Sequence, residues 1–387
     1  MKIYIIGPTY PYRGGISHYN TLLCENLKKR HDVKSVSFKR LYPSFLYPGK
    51  DQKDLNSKIN IKTDSEYLID SINPLTWIHT FLSVKKEQPD ILIFQWWTPF
   101  FTPVYFTISF LTRYLANTKI LMICHNVLPH EKKKIDKILT KMVYKNVDFF
   151  IVHSEEDLRN LRTLIPNAKA KQTHHPTYEY FKTGNKIDLH LHSKEELNLN
   201  LKNKTILFFG FVREYKGLNY LIEAMPKVLE KQKVDLLVVG EFWEDKENYI
   251  DQVKQLGIEN YVHIIDRYVP NEEVNLYFSV ADVVVLPYIS ATQSGIIQIA
   301  YGFDKPVITT NVGGLSDVVK NGKTGYIVPS EDAKALSKAI VSYFEGNKER
   351  EFQANIKKQK DIFSWNKMVE TIENFCEQSL LVNLRSK

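Results

Sequence analysis

Leu286-Pro-Tyr-Ile-Ser-Ala-Thr-Gln-Ser-Gly295-Ile-Ile-Gln298 decides the architecture, together with Asp304-Lys-Pro306-Val-Ile-Thr-Thr-Asn-Val-Gly313-Gly314-Leu315 just beyond it. The apolar run Val283 to Leu286 predicts a buried strand that ends in small polar residues and one glycine. That loop feeds a predicted helix, whose first backbone N–H groups have no partner inside the helix and so attract anions. A second apolar run, Pro306 to Thr309, ends in Asn311 and paired glycines. Two loops at the carboxyl edge of one parallel sheet are suited to enclosing a nucleotide diphosphate, which points to a nucleotide-sugar enzyme.

Outward from that stretch, short β-branched runs alternate with helical segments, the pattern of doubly wound parallel sheets and an α/β fold. Strands are predicted at Ile3 to Gly7, Val33 to Phe38, Asp90 to Gln95, Lys119 to His125, Phe149 to His153 and Ala168 to Thr173. A second series starts at Thr205 to Gly210 and continues through Val234 to Gly240, Val262 to Ile265, Val283 to Leu286, Pro306 to Thr309 and Gly325 to Val328. Helices fall between the strands. The polar segment Thr183 to Asn203 reads as a linker, with a short helix around Ser193 to Leu197. The expected domains are therefore 1–182 and 183–387, two Rossmann-like units facing across a cleft. The amphipathic segment Asn366 to Ser379 has no strand after it and can cap either domain.

The 387 residues exceed the roughly 250–300 at which a single core stops growing. The net charge of +8 is moderate, and the lysines are interspersed with acids except at Lys132-Lys133-Lys134. With no zinc spacing or RNA-binding signature, nucleic acid is not an expected partner; phosphates on a substrate or at a membrane surface are. Three scattered cysteines form no disulfide framework. The chain begins directly in a strand without a signal-peptide pattern, and both features predict the cytoplasm, with contact at the inner face of the membrane. The longest apolar stretch, Phe100 to Leu115, is interrupted by Pro103 and Arg113, falls short of the about 20 residues a spanning helix needs, and reads as a packed helix or an interfacial one.

Three loops carry candidate chemistry. Gly7 to His18 places Gly14 and Gly15 between the first strand and the first helix, suiting close backbone approach to a phosphate or sugar hydroxyl. Gly-x-Gly-x-x-Gly is absent and the second strand ends in Lys39-Arg40, which argues against a nicotinamide enzyme. In the second half, Gly210-Phe-Val-Arg213-Glu214-Tyr-Lys216-Gly217 occupies the same strand-to-helix position. Arg213 as a planar fork and Lys216 as a point charge can both reach a diphosphate; the alternative is a solvated Arg213–Glu214 pair. Glu241, after Val238-Val-Gly240, is either a base or ribose contact or an exposed loop acid.

In their order and spacing these residues resemble glycosyltransferase family 4, retaining enzymes of the GT-B fold. The resemblance runs through 13–19, His125-Asn126, Val152-His153-Ser154, Gly210 to Gly217, Leu286 to Ile297, Lys305 to Leu315 and Gly322 to Pro329. It implies that Gly14 and Gly15 sit under the donor phosphates and that His125 stands beside the transferred sugar. It further implies that Arg213, Lys216 and the backbone at Gly295 stabilise the leaving diphosphate, without a metal, since there is no Asp-x-Asp to hold one. His18, His153, His174 and His175 read as structural or acceptor-side.

Two departures stand out. The family's paired glutamates would fall at Ala291 and Ile299, so Thr292, Gln293, Ser294 and Gln298 are the polar groups left to bind the donor. Arg213 lies two residues later than the family's arginine, with Phe211 at the usual place. The expected activity is retaining transfer of a sugar from a UDP-sugar or GDP-sugar, with no further cofactor, to a hydroxyl of a glycan or lipid-linked acceptor. The aromatics at Trp96, Trp97, Phe100 and Phe101 suit either core packing or an apolar part of that acceptor. The rivals are a non-catalytic nucleotide-sugar-binding scaffold and a GT-B nucleotide-sugar epimerase.

Overall fold

The computed structural model describes residues 1–47, 49, 51–55, 57, 63–128, 134–182, 197, 199 and 201–385. The chain divides into two compact units. One comprises Met1–Leu55, Asn60–His175 and Ser364–Lys387; the other is Pro176–Phe363 with Ser57. Residues 176–182, placed in the first domain by the sequence reading, thus pack in the second unit, and the C-terminal segment packs in the first. The helix expected around Ser193 and most of the linker, like Lys132 and Lys133, lie outside the described residues.

The first unit is built on a seven-stranded parallel sheet of order β3-β2-β1-β4-β5-β6-β7. Its strands are β1 (Lys2–Ile6), β2 (Asp32–Arg40), β3 (Ser65–Asp70), β4 (Ile91–Trp96), β5 (Lys119–Cys124), β6 (Phe149–Val152) and β7 (Ala170–Gln172). Its helices before the crossing are α1 (Gly15–Lys28), α2 (Pro74–Glu87), α3 (Thr102–Leu115), α4 (Lys134–Tyr144) and α5 (Glu155–Leu164). Every residue of β4 is buried, as a strand covered on both faces requires. The edge strand β3 was not foreseen: only its last two residues, Ile69 and Asp70, are buried, so it offers little periodicity to read.

The second unit repeats the scheme with six parallel strands of order β10-β9-β8-β11-β12-β13. They are β8 (Lys204–Phe209), β9 (Val234–Val239), β10 (Val262–Ile265), β11 (Val283–Leu286), β12 (Val307–Thr310) and β13 (Gly325–Val328). The helices are α6 (Leu218–Leu229), α7 (Lys246–Gln255), α8 (Asn271–Val280), α9 (Gly295–Gly302), α10 (Leu315–Val318), α11 (Ala333–Glu345) and α12 (Glu349–Lys358). Finally α13 (Trp365–Arg385) returns to the first unit. There Met368, Val369, Ile372 and Phe375 join Tyr19, Leu23 and Leu27 of α1 in one core layer, while α2 to α5 share the layer on the opposite sheet face. The fold class is the expected one, α/β with two doubly wound parallel sheets.

Candidate functional site

In the second unit strand order reverses between β8 and β11, and the loops after these strands carry most of the candidate residues. The loops are tied together by backbone contacts. Ile289 N–H donates to the Tyr215 carbonyl at 2.7 Å, and Gly314 N–H donates to that of Thr292 at 2.9 Å. Val212 and Trp243 complete a further zipper, with Val212 N–H reaching the Glu241 carbonyl at 2.9 Å. Gly313 adopts a φ of +51°, and a Cβ there would stand 1.6 Å from the Ala291 carbonyl oxygen, so only glycine lets the two glycine-bearing loops approach this closely.

Lys216 is buried inside this corner, with its Nζ 3.0 Å from where a Cβ on Gly210 would sit. The same Cβ would lie 3.4 Å from Ile296 Cδ1, so Gly210, Lys216 and the first turn of α9 converge. Burial, and secondarily the Arg213 guanidinium, pull the Lys216 ammonium down to about 7, and no carboxylate among the described residues opposes them. Lys216 Nζ also lies over the Tyr288 ring at 5.7 Å. The Arg213 side chain is exposed, and its guanidinium faces the rings of Tyr215 at 5.1 Å and Trp243 at 5.5 Å, an orienting cation–π contact. The sequence alternative for Arg213, a pair with Glu214, is not among the ion pairs of the described residues.

Glu241 is buried and accepts a hydrogen bond from Trp243 Nε1 at 3.2 Å, so it is not an exposed loop acid. Trp243 also packs against Phe211 at a tilt, with ring centroids 4.5 Å apart. Thr292 and Ser294 are buried and Gln293 is half-buried before α9; Ser294 is its N-cap residue with no side-chain cap, and Gly295 opens it. Gln298 lies deeper, and its Oε1 has no hydrogen-bond partner among the described residues. The second unit thus brings Gly210, Arg213, Lys216, Glu241 and the Thr292 to Gln298 loop to one sheet edge. This arrangement can neutralise a diphosphate with one buried ammonium, one guanidinium and free helix N–H groups.

In the first unit Gly14 caps the start of α1, and added side-chain carbons at Gly14 and Gly15 would meet nothing within 4 Å. His18 instead turns inward, its Nδ1 donating to the Gly14 carbonyl at 3.0 Å. His125 follows β5 with its backbone N–H bonded to the Trp96 carbonyl at 2.8 Å, and its Nε2 donates to Gln95 Oε1 at 2.8 Å. Its ring meets Tyr19 edge-on at 4.7 Å, with His153 at 5.7 Å and His175 at 6.5 Å. Burial, reinforced by His153 and His175, holds His125 well below the ordinary histidine value; burial takes His153 to about 4 despite its bond to the Thr173 carbonyl. His125 and His153 are therefore neutral at pH 7.

The sequence reading missed Tyr288, Trp243 and Gln95. The first two are aromatics whose contacts depend on loops far apart in the chain. Gln95 carried a signal: it is the one polar residue in the otherwise apolar β4 run Ile-Leu-Ile-Phe-Gln-Trp.

Residues 191–360 match the family described as Glycosyl transferases group 1. Over 198 residues the chain is 27% identical to an uncharacterized glycosyltransferase of Methanocaldococcus jannaschii, covering 49% of this chain and 50% of that protein. Over 230 residues it is 25% identical to the D-inositol 3-phosphate glycosyltransferase of Corynebacterium diphtheriae, covering 57% and 53%. The chain spans about half the length of these curated relatives. Anabaena HepE, solved in complex with UDP, superposes with a TM-score of 0.74 at 15% identity over 98% of this chain and all of that one. The fold is GT-B, and the likeness to the glycosyl transferases of group 1 lies in residues 191–360.

Proposed function

We propose that the protein transfers a sugar from a nucleoside diphosphate sugar, of the UDP- or GDP-sugar class, to a hydroxyl of a polysaccharide or lipid-linked glycan acceptor. The observation that carries this reading is Lys216: a buried ammonium with no carboxylate among the described residues to offset its burial, set beside Gly210 and the start of α9. A polar group in such a place is costly unless an anion completes it. The likeness to sugar-transferring relatives, and to HepE crystallised with UDP, supports a sugar nucleotide as that anion.

In the proposed reaction the bond between the anomeric carbon and the diphosphate oxygen breaks while the acceptor oxygen bonds to the same face of that carbon. The acceptor proton passes to the departing diphosphate, so configuration is retained without a protein nucleophile. Arg213, Lys216 and the Gly295 amide neutralise the charge that grows on the diphosphate, in place of a metal ion. Glu241 and Trp243 are assigned to the base and ribose. Thr292, Gln293, Ser294 and Gln298 are assigned to the donor hydroxyls in place of the missing glutamates. His125, held neutral and oriented by Gln95, is assigned to the sugar side, with Gly14 and Gly15 beneath the phosphates.

A panel of UDP-, GDP- and TDP-sugars tests the reading. Donor hydrolysis or transfer with retained configuration, undiminished by chelators, is the expected result. Binding without turnover would instead fit a scaffold, for which Ala291 and Ile299 at the glutamate positions are the motivating feature. Appearance of an isomeric sugar would favour an epimerase.

A further inference from the structure

The donor side of the second unit depends on α9, a helix of eight residues that opens at Gly295 and contributes Gln298. A helix this short is marginal by itself, and Ser294 gives its start no side-chain cap, so its direction has to be set from outside. Ile297, Ala300 and Tyr301 of α9 are buried. Residues 176–182, from far upstream in the chain, lie along it as well. Tyr178 meets α9 at both ends and in the middle. Its buried ring lies 3.9 Å from where a Cβ on Gly295 would sit, and its backbone N–H donates to the Gln298 carbonyl at 3.4 Å. At the far end, a Cβ on Gly302 would stand 3.1 Å from the Tyr178 carbonyl oxygen, so glycine there lets the segment lie directly on the helix.

Charge fastens this segment. Asp304, just after α9, forms ion pairs with Lys182 and Lys360, both at 3.0 Å. Lys182 also donates to the Gly302 carbonyl at 3.4 Å, and Lys360 to the Glu179 carboxylate at 2.8 Å. Burial pushes the Asp304 carboxyl up, but the hydrogen bonds from Lys360 and Lys182 outweigh it and hold the group below its ordinary value. Thr177 N–H donates to the Phe363 carbonyl at 2.9 Å, and the Phe363 ring meets Tyr301 of α9 edge-on at 5.8 Å. Two stretches from opposite ends of the second unit, 176–182 and 360–363, thus converge on one helix.

We infer that Tyr178 is a positioning residue for the proposed transfer: its ring braces α9 at Gly295 and aims the first-turn N–H groups at the donor diphosphate, while Asp304, Lys182 and Lys360 hold the brace in place. The inference rests on the reading of α9 as the diphosphate-binding helix. Tyr178 acts through that helix and not on the reacting atoms. Dipoles that stabilise a leaving group work only when their direction is fixed beforehand, and a displacement of about 1 Å can cost about a hundredfold in rate.

The parent, Tyr178→Ala, Tyr178→Phe and Lys360→Gln are compared as full chains. Hydrogen exchange of the α9 amides at residues 299–303 is measured without ligand, UDP affinity by calorimetry, and kcat at saturating donor with any accepted sugar nucleotide. Tyr178→Ala should speed exchange in α9 while other helices of the second unit exchange as before, weaken the hold on UDP, and lower kcat about a hundredfold. Tyr178→Phe keeps the ring and should match the parent. Lys360→Gln, which changes no buried apolar contact, should move all three measurements in the same direction by a smaller factor. The inference is overturned if α9 exchanges alike in Tyr178→Ala, Lys360→Gln and the parent, or if exchange rises evenly throughout the second unit, as mere loss of stability would make it. A parent that binds UDP and variants that turn over as it does would sink the brace alone. A parent that binds no sugar nucleotide would sink the donor reading itself, and this role with it.

Discussion

Burial pulls the Lys216 ammonium from its ordinary 10.5 to about 7, so between these values the unfolded chain binds more protons than the folded one. Stability therefore rises as pH rises from about 7 to 10.5, and the ammonium imposes its full penalty below that window. Lys216→Met should flatten this slope in thermal melts and stabilise the chain by roughly 0.5–2 kcal/mol, while turnover on any accepted sugar nucleotide falls roughly a hundred- to thousand-fold. Unchanged turnover would remove Lys216 from the site. The histidines give the opposite end of the scale. His153, lowered from 6.5 to about 4, is neutral in the folded chain, so the stability it protects is complete above 6.5 and is lost as pH falls through that interval. Melts at stepped pH should show this acid-side loss, and His153→Gln should make it shallower. Lys216 and Arg213 were legible in the sequence because a cation between a strand-ending glycine and a helix start has few structural uses. Gln95 and Tyr288 were not, because their significance lies in partners 30 and 72 residues away, His125 and Lys216.

At the level of elements, the second-unit site exists because loops after different strands interlock. The Gly313 loop rests on the Ala291 carbonyl, and Thr310 Oγ1 donates to the Tyr288 carbonyl at 2.6 Å. Gly313→Ala would need a left-handed backbone from alanine and would drive its Cβ into that oxygen. We expect a loss of about 1–3 kcal/mol and a much weaker grip on sugar nucleotides, measured by denaturant titration and by calorimetry with UDP. If stability is unchanged, the two loops are not held in this contact. Most strands could be read in advance: β10, β11 and β13 begin and end where their apolar runs do. The prediction of β12 began at Pro306, but a proline has no N–H to give the ladder, and the strand runs from Val307. β3 escaped because Ser-Glu-Tyr-Leu-Ile-Asp alternates too little to show a face.

For the whole chain, the linear order of the sequence conceals which residues share a core. The last helix is separated from α1 by nearly the full length of the polypeptide, yet Met368, Val369 and Ile372 are wholly buried with Tyr19 and Leu23, and Trp365 meets the Tyr19 ring at 5.3 Å. No local pattern distinguishes a terminal helix that caps one unit from one that caps the other; only the matching apolar face does. Side chains such as Met368, Val369, Ile372 and Phe375 each contribute roughly 1.5–3 kcal/mol when fully buried, so removing these four costs as much as the about 5–15 kcal/mol that holds a typical domain together. Ending the chain at Phe363 should therefore unfold the first unit, seen as loss of protease resistance in Met1–His175, while fragments from Pro176–Phe363 persist because that unit keeps its own core. The sharper variant is Ile372→Asp, which leaves the length intact but buries a carboxylate among Leu23, Leu27 and Ile93. It should produce the same selective proteolysis. Equal protection of both units in that variant would mean that α13 contributes nothing to the first core, and the layer it forms with α1 would have to be abandoned.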